Sequence, residues 1–170
     1  MINNGDLINN NLLYNSPLEV ALRTLVLLNN ASADTFDIDR LIIFDYIVLH
    51  AKDLDERQKN LHPSLPFRSS EIIIRRKLII EGLEMLVSRG LVNITHNQDG
   101  IFYQSNKTTK LFLELLNSNY SIKLRNLSEW ALSNYGMLST QQLVSLVNDG
   151  IQLWGSEFEY EALVRGNYGQ

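Results

Sequence analysis

The sequence contains no cysteine among its 170 residues, and this absence removes several kinds of chemistry. Disulfide frameworks, thiolate zinc sites and cysteine nucleophiles all require that residue. A chain without cysteine suits a reducing compartment, and the first residues show neither the basic nor the apolar segment of a secretory signal. We therefore expect a cytoplasmic protein without redox chemistry.

Long apolar runs and an excess of positive charge are also missing. The longest apolar stretches, around 25–28 and 41–44, are far shorter than the roughly 20 residues that span a membrane. The formal net charge is −4 and the pI is about 5.3, which argues against non-specific coating of nucleic acid. With 45% hydrophobic and 20% charged residues, the composition predicts an ordinary folded protein with no membrane partner.

Helical patterns dominate the first half of the chain, after an asparagine-rich arm at 1–15. The string Ser-Pro-Leu-Glu at 16–19 is typical of a helix start, because it offers a capping hydroxyl, a proline at the first helical position and a glutamate for a capping box. This helix is predicted to bury one apolar stripe at Leu18, Leu22, Leu25 and Leu28 or Asn29.

Two more helices are predicted before residue 90, separated by an exposed loop. The first begins near the Asp37 cap and ends at about His50, and the second runs from 69 or 70 to Arg89, where Gly90 closes it. Between them, residues 51–68 contain mixed charges and two prolines, which favours a loop.

A β-hairpin follows directly, because the apolar period changes to about two at 91–95 and 101–104 around a turn at 97–100. Three helices followed by a hairpin is the order of a winged helix. We therefore predict a mainly α fold with a small β-hairpin, in which a winged-helix-like domain at 16–106 precedes a C-terminal helical extension at 107–170.

Signatures of catalysis are missing from the sequence. None of the three histidines, His50, His62 and His96, has a metal-ligand neighbour at suitable spacing, and no nucleophile elbow, zinc-protease motif, P-loop or dinucleotide fingerprint occurs. His50 at a helix end and His96 in the hairpin turn have ordinary structural interpretations. The chain is therefore predicted to be no enzyme, with no metal and no cofactor of its own.

One carboxylate stands inside an apolar run. Asp45 lies within 41–48, and a buried carboxylate normally requires a cationic partner. We predict an internal ion pair with Arg75 or Arg76, and the alternative is that Asp45 faces solvent.

Basic residues concentrate between 57 and 77, where six cations face one acid, Glu71. Such a face suits the phosphates of DNA or an acidic partner surface, and the alternative is a solvated helix face. Three isoleucines at 72–74 and a hairpin without cations argue against base reading by this region. The predicted contact residues are Arg57, Lys59, Arg68 and Lys77.

Two aromatic pairs complete the candidate binding residues. Phe102 and Tyr103 lie in the predicted hairpin, and Trp154 and Phe158 share one face of a predicted C-terminal helix. Aromatic side chains are enriched at interface centres, which favours docking of a partner. Packing within the protein's own core is the alternative for both pairs.

Several strings along the chain resemble one protein family over about residues 15–163. The chain is similar to the small middle component, of the second type, of bacterial ABC three-component systems, related to the small subunit of Lamassu-type antiphage systems. The strings that carry the similarity are Asn-Ser-Pro-Leu-Glu-Val-Ala-Leu-Arg at 15–23, Phe-Asp at 36–37, Arg-Leu-Ile-Ile-Phe-Asp-Tyr at 40–46, Leu-His-Pro-Ser-Leu-Pro-Phe-Arg-Ser-Ser-Glu at 61–71 and Gly-Leu-Glu-Met-Leu-Val-Ser-Arg-Gly-Leu-Val at 82–92.

The resemblance implies a non-enzymatic adaptor between an SMC-like ABC ATPase and an effector, often a nuclease, in antiviral defence. ATP and metal would then belong to the partner subunits, and DNA would be reached through the complex. Two alternatives of other classes are a free-standing winged-helix DNA-binding transcription regulator and a small hydrolase with an unrecognised site. The cation-poor hairpin and the net acidity count against the regulator.

Overall fold

The computed structural model describes residues 16–31, 34–62 and 71–150, with the side chains of 71–74 and 148–150 excepted. Within these ranges the chain is mainly helical with one antiparallel β-hairpin, as predicted. The elements are α1 Pro17–Asn30, α2 Ile38–Leu49, α3 Ala51–Leu54, α4 Glu71–Ser88, β1 Val92–Asn97, β2 Gly100–Ser105, α5 Lys107–Glu114, α6 Asn119–Tyr135 and α7 Thr140–Gly150.

The helix starts follow from local capping. The Ser16 hydroxyl accepts a hydrogen bond from the backbone N–H of Glu19 at 3.2 Å, and the Asp37 carboxylate accepts one from the N–H of Arg40 at 2.7 Å. At the start of α7, Ser139 and Gln142 exchange reciprocal bonds of 2.9 and 3.2 Å, which form a capping box.

The core is centred on α1 and α2, both of which pack against α4 and α6. Nearly every residue of α1 from Val20 to Leu28 is buried, so this helix is enclosed on most sides rather than along one stripe. The prediction that Leu18 belongs to the buried stripe is wrong, because Leu18 lies in the first turn and is 58% exposed. Core residues come from both sides of the predicted boundary at 106, since Leu124, Leu127 and Leu143 belong to the same cluster.

A glycine brings α1 and α4 into close contact. A Cβ atom placed on Gly82 would lie only 3.1 Å from the backbone N and Cα of Ala21. Glycine in the middle of α4 therefore permits the two helix backbones to approach each other, at a cost in helix propensity of about 1 kcal/mol.

The hairpin is antiparallel and carries an additional bridge. β1 pairs with β2 from Val92↔Ser105 to Asn97↔Gly100, and Gly100 adopts a φ of +138° at the turn. Phe36, between α1 and α2, exchanges two backbone hydrogen bonds with Tyr103 at 3.0 and 2.8 Å. β2 therefore lies between β1 and Phe36, an arrangement compatible with a winged helix.

Two smaller predictions need correction. His96 lies in β1 opposite Ile101 rather than in the turn, because the turn tightens to two residues at 98–99. The loop predicted at 51–68 contains the short helix α3, and Leu61 is buried, with its N–H donating to the Leu49 carbonyl at 3.1 Å. Burial of this leucine folds the segment back onto the end of α2.

Some predictions lie outside the described residues: the arm at 1–15, the loop part at 63–68 and the helix beyond 150. In the ranges that are described, none of the helices combines the length and the apolar character that crossing a membrane requires.

Candidate functional site

A buried ionic network occupies the centre of the helical core. Asp45 on α2 is fully buried and accepts hydrogen bonds from Arg23 on α1, whose Nε and Nη2 lie 2.7 and 3.2 Å from the two carboxylate oxygens. Arg75 on α4 donates through Nη1 to Oδ2 of the same carboxylate. Of the two arginines predicted as partners, Arg75 therefore pairs with Asp45, and Arg76 instead pairs with Asp39 at the start of α2.

The electrostatics of this network follow from its burial and its charge balance. Burial by itself would raise the pKa of Asp45, but the guanidinium groups of Arg23 and Arg75 outweigh it and hold that pKa well below its usual value. Burial by itself would lower the pKa of Arg23. The Asp45 carboxylate reverses this effect, and the pKa of Arg23 therefore lies above its ordinary value. Asp45 and Arg23 are thus both ionised at neutral pH.

A second carboxylate extends the network toward the surface. Oε1 of Glu19 accepts from Arg23 Nη1 at 3.0 Å and from the Tyr120 hydroxyl at 2.7 Å, and it lies 2.9 Å from Nε2 of His62. These contacts occupy the carboxylate that the sequence assigned to a capping box at the start of α1. Burial, together with the bond to Glu19, raises the pKa of Tyr120.

Three members of the network were missed in the sequence: Arg23, His62 and Tyr120. Arg23 follows Glu19 by four residues, a spacing that is also typical of an exposed helix pair. The signal that could have identified it is its position between Leu22 and Thr24-Leu25, inside a helix that is apolar on most sides. His62 and Tyr120 are 58 residues apart and share no local pattern.

This network ties four helices together, because its charged groups pair with one another across α1, α2 and α4 and Glu19 also contacts Tyr120 on α6. Within the described part of the chain, no group of three or more histidine, aspartate or glutamate residues is placed to hold a metal ion. The arrangement supports a structural role for Asp45, Arg23 and Arg75.

The predicted basic cluster is divided between core and surface. Arg75 is buried, while Lys77 is 78% exposed on α4, with its Nζ 3.8 Å from a carboxylate oxygen of Glu81. Arg57 is 88% exposed and donates to Asp55 through Nε and Nη2, both at 3.0 Å. Lys59 is exposed on the same loop, and Arg68 lies outside the described residues. Fewer cations therefore face outward than the sequence count of six indicates.

The two hairpin aromatics have different surroundings. Tyr103 packs against the core and is tied to Phe36, and burial raises its pKa. Phe102 is half-buried on the opposite face of the hairpin, directly across from the exposed Thr95. Tyr103 is thus the member of the pair that packs against the core, while Phe102 lies on the other face. Trp154 and Phe158 lie outside the described residues.

Comparison with known proteins gives one family match. The family model for the ABC-three component system Middle Component 2 matches residues 13–157. No curated protein and no solved structure matches the chain. The match spans all of the described residues, including the hairpin and every member of the ionic network.

Proposed function

Because the chain belongs to the Middle Component 2 family of ABC-three component systems, we propose that it is a non-enzymatic adaptor in an antiviral defence complex. The partners are an SMC-like ABC ATPase and a nuclease-type effector, as in Lamassu-type systems. The family match over residues 13–157 is the observation that carries this proposal. A middle component implies further components of the same system. In the adaptor role, this chain connects those components to one another.

The chemistry of the chain supports a subunit without catalysis. Asp45, Arg23, Arg75 and Glu19 pair with one another inside the helical core, which supports a structural role for these charged groups rather than a catalytic one. The sequence also lacks a phosphate-binding loop and the common hydrolase motifs. Nucleotide hydrolysis and DNA cleavage are therefore assigned to the partners.

The hairpin offers an aromatic side chain for docking. Phe102 stands on the face away from Tyr103, and the segment 91–104 contains no lysine or arginine to grip DNA. Phe102→Ala should weaken association with the ATPase or the effector without unfolding the protein, since Phe102 is half-buried on the face away from Tyr103 and aromatic side chains often dominate binding at interfaces.

Co-purification with the proteins encoded beside this chain tests the proposal. The matched control is Ile101→Ala, which removes an apolar side chain next to Phe102 but on the opposite face of β2. We expect the control to retain its partners and Phe102→Ala to lose one of them, while circular dichroism shows both variants folded. Recovery of the wild-type chain without either partner would contradict the adaptor role.

The C-terminal aromatic pair gives a second docking test. If Trp154 anchors a partner, Trp154→Ala releases that partner from a folded chain. If Trp154 belongs to the core, the same change lowers the stability by about 3–5 kcal/mol. Wild-type assembly together with wild-type stability would exclude this residue from both roles.

The winged-helix order and the bridge from Phe36 to Tyr103 favour one alternative, a transcription regulator that binds DNA directly. The purified chain would then bind operator DNA by itself, with an affinity that falls steeply as salt rises. The adaptor proposal predicts DNA binding by the assembled complex instead.

A further inference from the structure

The outer edge of the hairpin is the side of β1 that faces away from β2, and its geometry follows from the pairing of β2. Tyr103 uses both its N–H and its C=O on Phe36, on the side away from β1. In an antiparallel ladder, directly opposed residues either exchange both bonds or direct both groups outward. Ile94 is opposite Tyr103, so its N–H and C=O also point away from β2, and the same holds for His96 two residues further on.

This edge is open in the part of the chain that the structure describes. β2 is the strand that pairs with β1 there, and residues 93–97 are all exposed. Four backbone groups, the N–H and C=O of Ile94 and of His96, therefore face outward in register. Such a row is a template for a further strand.

The edge also lacks the devices that prevent strand addition. Natural edge strands are protected by lysine, proline, bulges or shortness. β1 is six residues long, pairs with β2 without a bulge, and contains no lysine, arginine, aspartate, glutamate or proline. Ile94 is 41% exposed and Ile101 is 45% exposed, and the two side chains lie on the same face of the hairpin. Both add exposed apolar surface next to the edge.

We propose that β1 pairs with β1 of a second copy of this chain, in antiparallel orientation about a two-fold axis. Ile94 of one copy then lies opposite His96 of the other, and the two pairs form four backbone hydrogen bonds. A two-fold axis brings identical residues together, so a charged strand would place like charges near each other. β1 contains no lysine, arginine, aspartate or glutamate, although the whole protein has a net charge of −4. Its neutral sequence therefore favours pairing with a second copy. This inference goes beyond the adaptor role and stands independently of it.

Sedimentation or light scattering over a concentration series tests the pairing, with circular dichroism as the check on folding. The wild-type chain should reach twice its 19.5 kDa mass, and Ile94→Lys should raise the dimer dissociation constant at least about tenfold, because it places like charges across the two-fold axis. The matched control is Ile101→Lys, which adds the same charge to the same face on the inner strand and should keep the dimer.

Amide hydrogen exchange separates the possible occupants of the edge. Self-pairing predicts that protection of the Ile94 and His96 amides grows with protein concentration. A folded wild-type chain that stays monomeric at every concentration overturns the proposal. Protection of the two amides that is independent of concentration would then indicate another segment of the same chain. Protection that requires an added partner would indicate that partner as the occupant of the edge. Equal loss of the dimer in Ile94→Lys and Ile101→Lys also overturns it, since the contact would then be the apolar face and not the edge.

Discussion

Replacing Asp45 by alanine tests the ionic network most severely. The substitution leaves Arg23 and Arg75 in place, with 0% and 3% of each residue exposed, and removes the carboxylate that both guanidinium groups contact. Removing one partner of a buried ion pair costs about 3–5 kcal/mol, because the remaining charge is left uncompensated. Asp45→Ala removes the carboxylate from two buried guanidinium groups, of which Arg23 keeps its contact with Glu19. We therefore expect a loss within that range, which is a large share of a typical folding stability of about 5–15 kcal/mol.

Urea denaturation followed by circular dichroism measures this loss. For an m value of about 2 kcal/mol/M, a loss of that size lowers the midpoint by about 1.5–2.5 M. Arg57→Ala is the matched control, because it breaks an arginine–aspartate pair of similar geometry whose arginine is 88% exposed, and its midpoint should stay close to that of the wild type. An Asp45→Ala midpoint equal to the control would refute the buried network as a source of stability.

Three further predictions concern acid, packing and the basic residues. Because the pKa of Asp45 is lowered in the folded protein, its ion pair stabilises the fold fully above the ordinary carboxyl pKa of 3.8. This stabilisation is lost as the pH falls from 3.8 through the lower pKa of the folded state. The difference in unfolding free energy between wild type and Asp45→Ala should therefore narrow in urea titrations from about pH 5 to pH 2. Gly82→Val should destabilise by about 1–3 kcal/mol in the same assay, because its side chain would overlap the facing α1 backbone; an unchanged midpoint would show that the helices separate freely. Replacing Arg57, Lys59 and Lys77 together by glutamate should leave the melting curve unchanged, because exposed charges contribute little to stability. The same variant should weaken assembly or DNA binding, most strongly at low salt, where charges are least screened. Wild-type assembly of this variant would identify the three cations as an ordinary solvated surface.

Features determined by local chemistry could be predicted from the sequence. The capping residues Ser16 and Asp37 start the helices that they indicate, and the change of apolar period after Gly90 does produce a hairpin. Each of these signals depends on residues within a few positions of one another, so the chain encodes them before any tertiary contact forms.

Features determined by packing could be predicted only in part. A buried Asp45 requires a cation, and composition narrowed the choice to Arg75 and Arg76 but did not indicate Arg23. Arg23 lies on a helix whose burial depends on how α4 and α6 enclose it, which no local pattern specifies. Leu18 shows the opposite case, since it fits the apolar period of α1 and yet lies in an exposed first turn.

The bridge between Phe36 and Tyr103 was missed for the same reason. Phe36 stands alone between two helices, and a single residue gives no strand pattern to recognise. Its pairing is nevertheless what fixes the outward direction of the Ile94 backbone groups.

The adaptor role requires this chain to connect the ATPase with the effector, and a three-component pull-down measures that connection. The tagged effector is purified from cells that also express the ATPase, once with this chain and once without it. The adaptor role predicts that the ATPase is recovered with the effector only when this chain is present, in a single complex that contains all three proteins. Equal recovery of the ATPase with the effector when this chain is absent would contradict the adaptor role.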